Sequence, residues 1–124
     1  MRNFIPFGKP DIGKDEINFI TKVIRSKWIG SGPITEKFEN SFKKYKKSKF
    51  ALSVNSCTAA LHLSLIYCGV KKGDEVITTP MTFASTINSI ILAGAKPILA
   101  DIKPDTFNID VNEIKKKITK KTKA

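Results

Sequence analysis

Strand-like and helix-like segments alternate through the second half of the chain, and this alternation constrains the fold more than any other feature. Short β-branched or apolar runs are each followed by a longer segment with helical character. The pattern predicts strands at 50–54, 75–79 and 97–100, and helices at 58–68, 83–93 and 110–118. Strands joined in sequence by helices form right-handed crossovers, so we expect an α/β fold with a mostly parallel sheet.

The residues at the helix ends support these limits. Gly69 and Gly94 follow two of the helical segments, at the position where a left-handed cap favours glycine. Asp110 and Glu113 lie three residues apart at the start of the last helix, and we interpret them as a capping box.

Two amphipathic helices are predicted ahead of this alternating pattern. Their apolar stripes are Ile17, Ile20, Ile24 and Trp28 in the first, over 14–27, and Ile34, Phe38, Phe42 and Tyr45 in the second. A Gly-Ser-Gly-Pro loop at 30–33 separates them. We therefore divide the chain into an N-terminal helical segment, 1–49, and an α/β part, 50–124.

The length and composition are typical of one globular domain with one core. The chain has 124 residues, of which 41% are hydrophobic and 27% charged. No apolar run is long enough to cross a membrane, and the first residues lack the apolar stretch and cleavage site of a signal peptide. We expect a cytoplasmic protein with no membrane partner.

Metal and thiol chemistry receive little support from the sequence. Cys57 and Cys68 form no C-x-x-C pair, and the single histidine, His62, cannot complete a zinc set. A nucleophilic Cys57 would need a general base, and no second histidine is present. We expect no metal site, and we expect Cys68 to be a buried thiol near a helix end.

The formal charge of +11 keeps a non-catalytic, nucleic-acid-binding module open as an alternative function. The positive residues are almost all lysines, whereas sites that read bases and phosphates favour the arginine fork. No nucleic-acid-binding motif accompanies the lysine runs at 43–49 and 115–123. We therefore interpret these runs as solvated helix faces and expect no nucleic-acid partner.

Small polar residues at 55–58 lie between the first predicted strand of the α/β part and its helix. The first N–H groups of a helix have no internal partner, and the helix dipole places partial positive charge there. Ser56 and Thr58 add hydroxyl groups to these donors. The segment predicts a phosphate cup; the alternative is a plain N-cap, with Ser56 or Thr58 satisfying the helix start and no ligand bound.

A second loop follows the next strand and reaches the same edge of the predicted sheet, where ligands of open α/β folds bind. It combines several hydroxyl side chains with one large aromatic residue, Phe83. A phosphate cup beside an aromatic ring suggests a phosphorylated planar ring as the ligand. The alternative is that Phe83 belongs to the core of its helix.

Six segments occur in the order that is typical of one enzyme family. They read IPFGKPDI (5–12), WIGSGP (28–33), NSCTAAL (55–61), GDEVI (73–77), TPMTF (79–83) and GAKP (94–97). Over essentially its whole length, the chain resembles the DegT/DnrJ/StrS family of nucleotide-sugar aminotransferases. The resemblance implies part of the large domain of an aspartate-aminotransferase-type fold, PLP fold type I, with helices on both faces of the sheet.

The resemblance also implies pyridoxal 5′-phosphate (PLP) as cofactor and assigns binding residues. The segment Ser56-Cys57-Thr58 matches the one that holds the cofactor phosphate, and Phe83 matches the aromatic that stacks on the pyridine ring. Substrate-entrance residues of the family match Phe7 and the loop Ile29-Gly30-Ser31-Gly32. Family members are typically homodimers with active sites at the interface.

Two departures from the family pattern qualify this assignment. Cys57 occupies a position where the family most often has glycine, and we expect its side chain either to narrow the cup or to require a different backbone angle, a change that its small size makes tolerable. The Schiff-base lysine and the carboxylate that contacts the pyridine nitrogen match no position up to Ala124, so we assign no catalytic residue. We expect an N-terminal fragment of an aminotransferase that has no turnover alone.

The reaction implied for the whole enzyme moves an amino group from an amino acid, usually glutamate, to a nucleotide-linked keto-sugar. Some relatives are instead sugar dehydratases that use pyridoxamine 5′-phosphate (PMP) and carry histidine in place of the lysine. Because that position is absent from this sequence, the aminotransferase and dehydratase functions both remain open here.

Overall fold

The structure is a computed structural model that describes residues 4–124. Its helices are α1 (Lys14–Arg25), α2 (Pro33–Lys46), α3 (Cys57–Tyr67), α4 (Ala84–Leu92) and α5 (Val111–Lys117), and its strands are β1 (Glu75–Thr78) and β2 (Lys96–Leu99). The chain forms two compact units, one ending at Ser53 and the other comprising Val54–Ala124.

Helices α1 and α2 make up most of the first unit, where the apolar stripes predicted them. The N–H of Gly13 donates to Glu16 Oε2 at 2.8 Å, which is the glutamate half of a capping box at the start of α1, since glycine has no side chain to supply the other half. Pro33 occupies the first turn of α2, where its missing N–H costs no hydrogen bond. No residue described in this unit is buried, so both apolar stripes lie uncovered within it.

The prediction of a strand at 50–54 is wrong for this structure. The segment has irregular backbone, and it is held by Glu39 of α2, whose Oε1 accepts from both the N–H and the hydroxyl of Ser53 at 2.7 Å. A strand exists only when a neighbouring strand pairs with it. Among residues 4–124, no strand pairs with this apolar segment.

The second unit contains a parallel βαβ arrangement. Strands β1 and β2 pair in parallel, with Val76 opposite Pro97 and Ile77 opposite Ile98, and α4 connects them. The core cluster consists of Val70, Val76, Ile90, Ala93 and Ala95, with Leu65 packed against it. The predicted α/β class with a parallel sheet is confirmed.

The last residues extend this sheet on the free side of β1. Glu75 donates its N–H to the carbonyl of Lys121 and accepts from the N–H of Lys123, both at 2.8 Å, in the parallel sense. The Thr119 hydroxyl also donates to the Glu75 carboxylate at 2.6 Å. Strand β1 therefore has hydrogen-bonded neighbours on both sides.

The helix ends agree with the sequence in part. Gly69 and Gly94 adopt φ angles of 74° and 82°, as expected for left-handed caps. Asp110 caps α5 by accepting from the N–H of Asn112 at 2.8 Å, but Glu113 does not complete a capping box. Its carboxylate instead forms an ion pair with Lys116 at 2.6 Å, because a lysine one turn later competes for it.

Two further features bear on the sequence-based expectations. Cys68 lies at the end of α3 and is exposed, contrary to the buried thiol we expected, because Leu65 and Val70 take the core positions at that end of the helix. None of the helices in the described part of the chain has the length and apolar character needed to span a membrane.

Candidate functional site

The first turn of α3 presents backbone donors at its start. Ser56 precedes the helix in extended conformation, and its Oγ accepts from the N–H of Ala59 at 3.1 Å. Its carbonyl accepts the first helical bond, from Ala60. Within residues 4–124, the N–H groups of Cys57 and Thr58 donate to no acceptor. The turn therefore combines a capped helix start with two free donors at the positive end of the helix dipole.

The same turn carries two hydroxyl side chains, those of Ser56 and Thr58. The Ser56 hydroxyl accepts from Ala59 and retains its own proton, which faces Asn55 Oδ1 across a long 3.5 Å contact. The Thr58 side chain is half-buried and makes no hydrogen bond to the described residues. Cys57 is exposed at the first helical position. The N-cap and the anion-binding interpretations are thus compatible, because the cap uses only one of the donors of this turn.

The loop after β1 is held by its own side chains. The Thr79 hydroxyl accepts from the N–H of Met81 at 3.2 Å, and the hydroxyls of Thr82 and Thr86 lie 3.0 Å apart. The carbonyl of Phe83 accepts from the N–H of Thr86 at 3.0 Å, which fixes Phe83 as the residue preceding α4. These contacts join the loop firmly to the first turn of α4.

The ring of Phe83 is 80% exposed within the described part of the chain and belongs to no core cluster. An aromatic side chain of this size normally gains much of its stabilisation from burial. Phe83 therefore lies on an accessible surface, and the alternative of a core residue does not describe its position here.

Helix α4 packs against the first turn of α3. The Ser89 hydroxyl lies 3.4 Å from the carbonyl of Thr58, and 2.7 Å from that of Ser85 in its own helix. Phe83 precedes Ser89 by six residues, which corresponds to about 9 Å along the helix axis. The structure thus brings α4, which carries Phe83 at its start, against the turn that contains Thr58.

The predicted substrate-entrance loop borders a groove within the first unit. The groove has a volume of about 500 Å³, and residues of α1 and α2 line it together with Trp28, Ile29, Gly30 and Gly32. The Trp28 indole donates to the carbonyl of Ser31 at 2.9 Å. A Cβ atom at residue 32 would overlap the indole ring, so glycine permits this close approach.

Two residues differ from the expectation for this groove. Phe7 is fully exposed and is not among the residues that line it. Trp28 forms one of its walls, although the sequence analysis placed Trp28 in a helical stripe and in the motif at 28–33 and not among the entrance residues. The sequence signal was the position of the only tryptophan, two residues ahead of the Gly-Ser-Gly loop at 30–32.

A carboxylate anchors the segment that ends this unit. Glu39 accepts the two hydrogen bonds from Ser53, and these bonds lower the pKa of its carboxyl group below the ordinary value. The carboxylate therefore ties Ser53, only three residues before Ser56, to α2.

Comparison with known proteins identifies the family. The pattern that defines the DegT/DnrJ/EryC1/StrS aminotransferase family matches residues 10–124. Protein MJ1066 of Methanocaldococcus jannaschii is 52% identical over 98% of this chain and 32% of its own length. The spore coat polysaccharide biosynthesis protein SpsC of Bacillus subtilis is 47% identical over 98% of this chain and 31% of its own length.

Solved structures agree with this match. The putative sugar aminotransferase Spr1654 of Streptococcus pneumoniae, solved in a PLP form and a PMP form, is 40% identical with a TM-score of 0.89 over 95% of this chain and 30% of its own. A GDP-4-keto-6-deoxy-D-mannose-3-dehydratase of E. coli, with bound hydrated PLP, is 28% identical with a TM-score of 0.86 over 94% of this chain and 32% of its own.

This chain spans about a third of the length of these relatives. The family match covers nearly all of it, and the fold agrees with that of sugar aminotransferases over the same residues. On this evidence, the chain belongs to the DegT/DnrJ/EryC1/StrS aminotransferase family.

Proposed function

We propose that this chain supplies the phosphate cup and the ring-stacking aromatic of a PLP site in a nucleotide-sugar aminotransferase. The observation that carries the proposal is the pair of free N–H groups, of Cys57 and Thr58, on a turn against which α4 packs. Helix α4 carries the exposed ring of Phe83 at its start. PLP combines both partners in one molecule: its phosphate matches the free N–H groups, and its flat ring matches the Phe83 ring.

The residues of the turn fit a phosphate group. Phosphate oxygens accept hydrogen bonds, and the turn offers the N–H groups of Cys57 and Thr58 together with the hydroxyls of Ser56 and Thr58. No acidic residue lies in the first turn of α3, so no side-chain carboxylate in that turn repels an anion. The side chains of this turn, those of Ser56, Cys57 and Thr58, are all small.

Bound PLP supplies an electron sink for amino-group transfer. The described residues contribute binding and orientation: the first turn of α3 holds the phosphate, and Phe83 fixes the plane of the ring. Aromatic stacking of this kind contributes roughly 1 kcal/mol beyond the burial of area.

The substrate assignment rests on the first unit and on the family. We propose that Phe7 and the loop Ile29-Gly30-Ser31-Gly32 form part of the entrance for a nucleotide-linked keto-sugar, with an amino acid, glutamate, as the amino donor. The apolar groove beside this loop and the open space around the backbone of Gly30 support close approach of a bulky ligand, whereas the Trp28 indole fills the space beside Gly32. A homodimeric assembly and a place in polysaccharide synthesis, the process named for SpsC, are part of the same proposal.

A PMP-dependent dehydratase is the second candidate function. The matching E. coli dehydratase has the same fold over 94% of this chain, so the described residues suit either reaction. Both candidates place a phosphorylated pyridine on the same turn.

Titration with PMP tests the proposal. PMP suits this chain because it lacks the aldehyde through which PLP reacts with exposed lysines, which are abundant here. We expect saturable quenching or enhancement of PMP fluorescence, and affinity at least about tenfold weaker for pyridoxamine, because a charged hydrogen-bonded group contributes about 1.5–3 kcal/mol. Equal affinity for PMP and pyridoxamine would contradict a phosphate cup.

A further inference from the structure

Ser89 has an environment unlike that of any other polar side chain among residues 4–124. It lies in the middle of α4, is 0% exposed, and is the buried polar residue of the described part of the chain. Buried hydroxyl groups require hydrogen-bond partners. The carbonyls of Ser85 and Thr58 lie within reach, at 2.7 and 3.4 Å.

These two contacts are not equivalent. A serine hydroxyl has one proton, and the shorter distance directs it to Ser85, one turn earlier in the same helix. The hydroxyl is therefore satisfied within α4. Its approach to the carbonyl of Thr58 is mainly a packing contact, and the size of the side chain determines how close the two helices come.

This packing contact lies between the two parts of the proposed cofactor site. Thr58 belongs to the phosphate-binding turn, and Phe83 is joined rigidly to the start of α4 by the hydrogen bond from Thr86. A shift of α4 away from α3 therefore moves the Phe83 ring relative to the cup. A larger side chain at residue 89 would produce such a shift, because Ser89 is fully enclosed and its hydroxyl already lies 3.4 Å from the Thr58 carbonyl.

We propose that Ser89 is a positioning residue whose small size sets the separation between the phosphate-binding turn and the Phe83 ring. The inference rests on the proposed function, since it assumes that one ligand contacts both the phosphate-binding turn and the Phe83 ring. It predicts that volume at residue 89 matters for PMP binding and that the hydroxyl does not.

The test compares two ligands across three variants of the full chain. PMP contacts both the cup and the ring, whereas inorganic phosphate contacts the cup alone. Ser89→Ala removes the hydroxyl without added volume, and Ser89→Thr adds one methyl group while keeping the hydroxyl. Ala93→Val is the matched control, because Ala93 is buried in the core cluster at the end of α4 opposite to Phe83. Circular dichroism monitors folding. If Ser89→Thr loses its helical signal, Ser89→Cys replaces it, because cysteine enlarges the side chain by less.

We expect Ser89→Thr to weaken PMP binding at least about fivefold and to change phosphate binding by less than about twofold. Ser89→Ala and Ala93→Val leave the ratio of the two affinities unchanged. If Ser89→Thr loses affinity equally for both ligands, or loses none, the inference is overturned. Either result leaves the proposed PLP site standing. A wild-type chain that binds PMP no better than pyridoxamine overturns the proposed function and the positioning role together.

Discussion

At the scale of single residues, the proposed site depends on small polar side chains at one helix start. Ser56 caps α3, and the N–H groups of Cys57 and Thr58 stay free. These free donors could be predicted from the sequence, because small polar residues followed by a helix indicate unpaired N–H groups at the helix start. The contact of Ser89 with Thr58 was not evident, because it joins residues 31 apart in sequence that only tertiary packing brings together.

Thr58→Val tests the hydroxyl of the cup. Valine keeps the shape of threonine and removes a donor to the phosphate, so we expect PMP affinity to fall roughly tenfold, as for loss of a hydrogen bond to a charged group. Fluorescence titration measures the affinity. Thr106→Val, the same change at an exposed turn, serves as the control. Unchanged affinity with native helicity would reduce Thr58 to a structural residue.

Phe83→Ala tests the stacking ring. The alanine variant keeps the cup and loses the aromatic face, so PMP affinity falls several-fold, as expected from about 0.5–1.5 kcal/mol of stacking energy, while affinity for inorganic phosphate stays unchanged. Isothermal titration with each ligand gives the two affinities. Phe50→Ala removes a similarly exposed ring elsewhere and should change neither. Loss of both affinities would indicate that Phe83 supports the fold instead.

At the scale of elements, periodicity and glycine positions were sufficient to locate the helices. The stripes of α1 and α2 and the left-handed caps at Gly69 and Gly94 are local properties of sequence. The strand predicted at 50–54 failed because a strand also needs a partner, which no local pattern supplies. The capping box predicted for α5 failed for a similar reason, since Lys116 competes for Glu113.

Glu39 gives the first unit a pH-dependent tether. Its pKa is lowered in the folded chain by the hydrogen bonds from Ser53, so the tether is fully present above the ordinary glutamate pKa of 4.5 and is lost as pH falls through the lowered value. We expect the protection factor of the Ser53 amide in hydrogen exchange to fall in that acidic range. Glu39→Gln should lower the protection at neutral pH, and Glu36→Gln should not. Protection that is independent of both pH and Glu39 would contradict this tether.

At the scale of the whole molecule, the charge of +11 and the uncovered apolar stripes are the dominant features. The charge alone does not distinguish an enzyme part from a basic binding module. The family match and the shared fold with sugar aminotransferases favour the proposed enzyme part, and under that proposal we expect the lysine runs to be solvated helix faces.

Salt dependence separates these two functions. A nucleic-acid-binding module binds duplex DNA with an affinity that falls linearly with salt on logarithmic axes, with a slope of about −0.9 per phosphate contacted. For the enzyme part, we expect only weak binding to survive near physiological ionic strength, about 0.15 M. Fluorescence anisotropy of a labelled duplex, recorded across a series of salt concentrations, measures the affinity. Tight binding that persists at that salt concentration would support the basic module.

The most direct test of the central claim is to map PMP binding on the ¹⁵N-labelled chain by NMR. The free amides of Cys57 and Thr58 are expected to show the largest chemical-shift changes, followed by residues around Phe83, and pyridoxamine is expected to leave the first two unperturbed. Changes confined to the lysine-rich segments of α2 and α5, with none at the first turn of α3, would contradict the proposed phosphate cup.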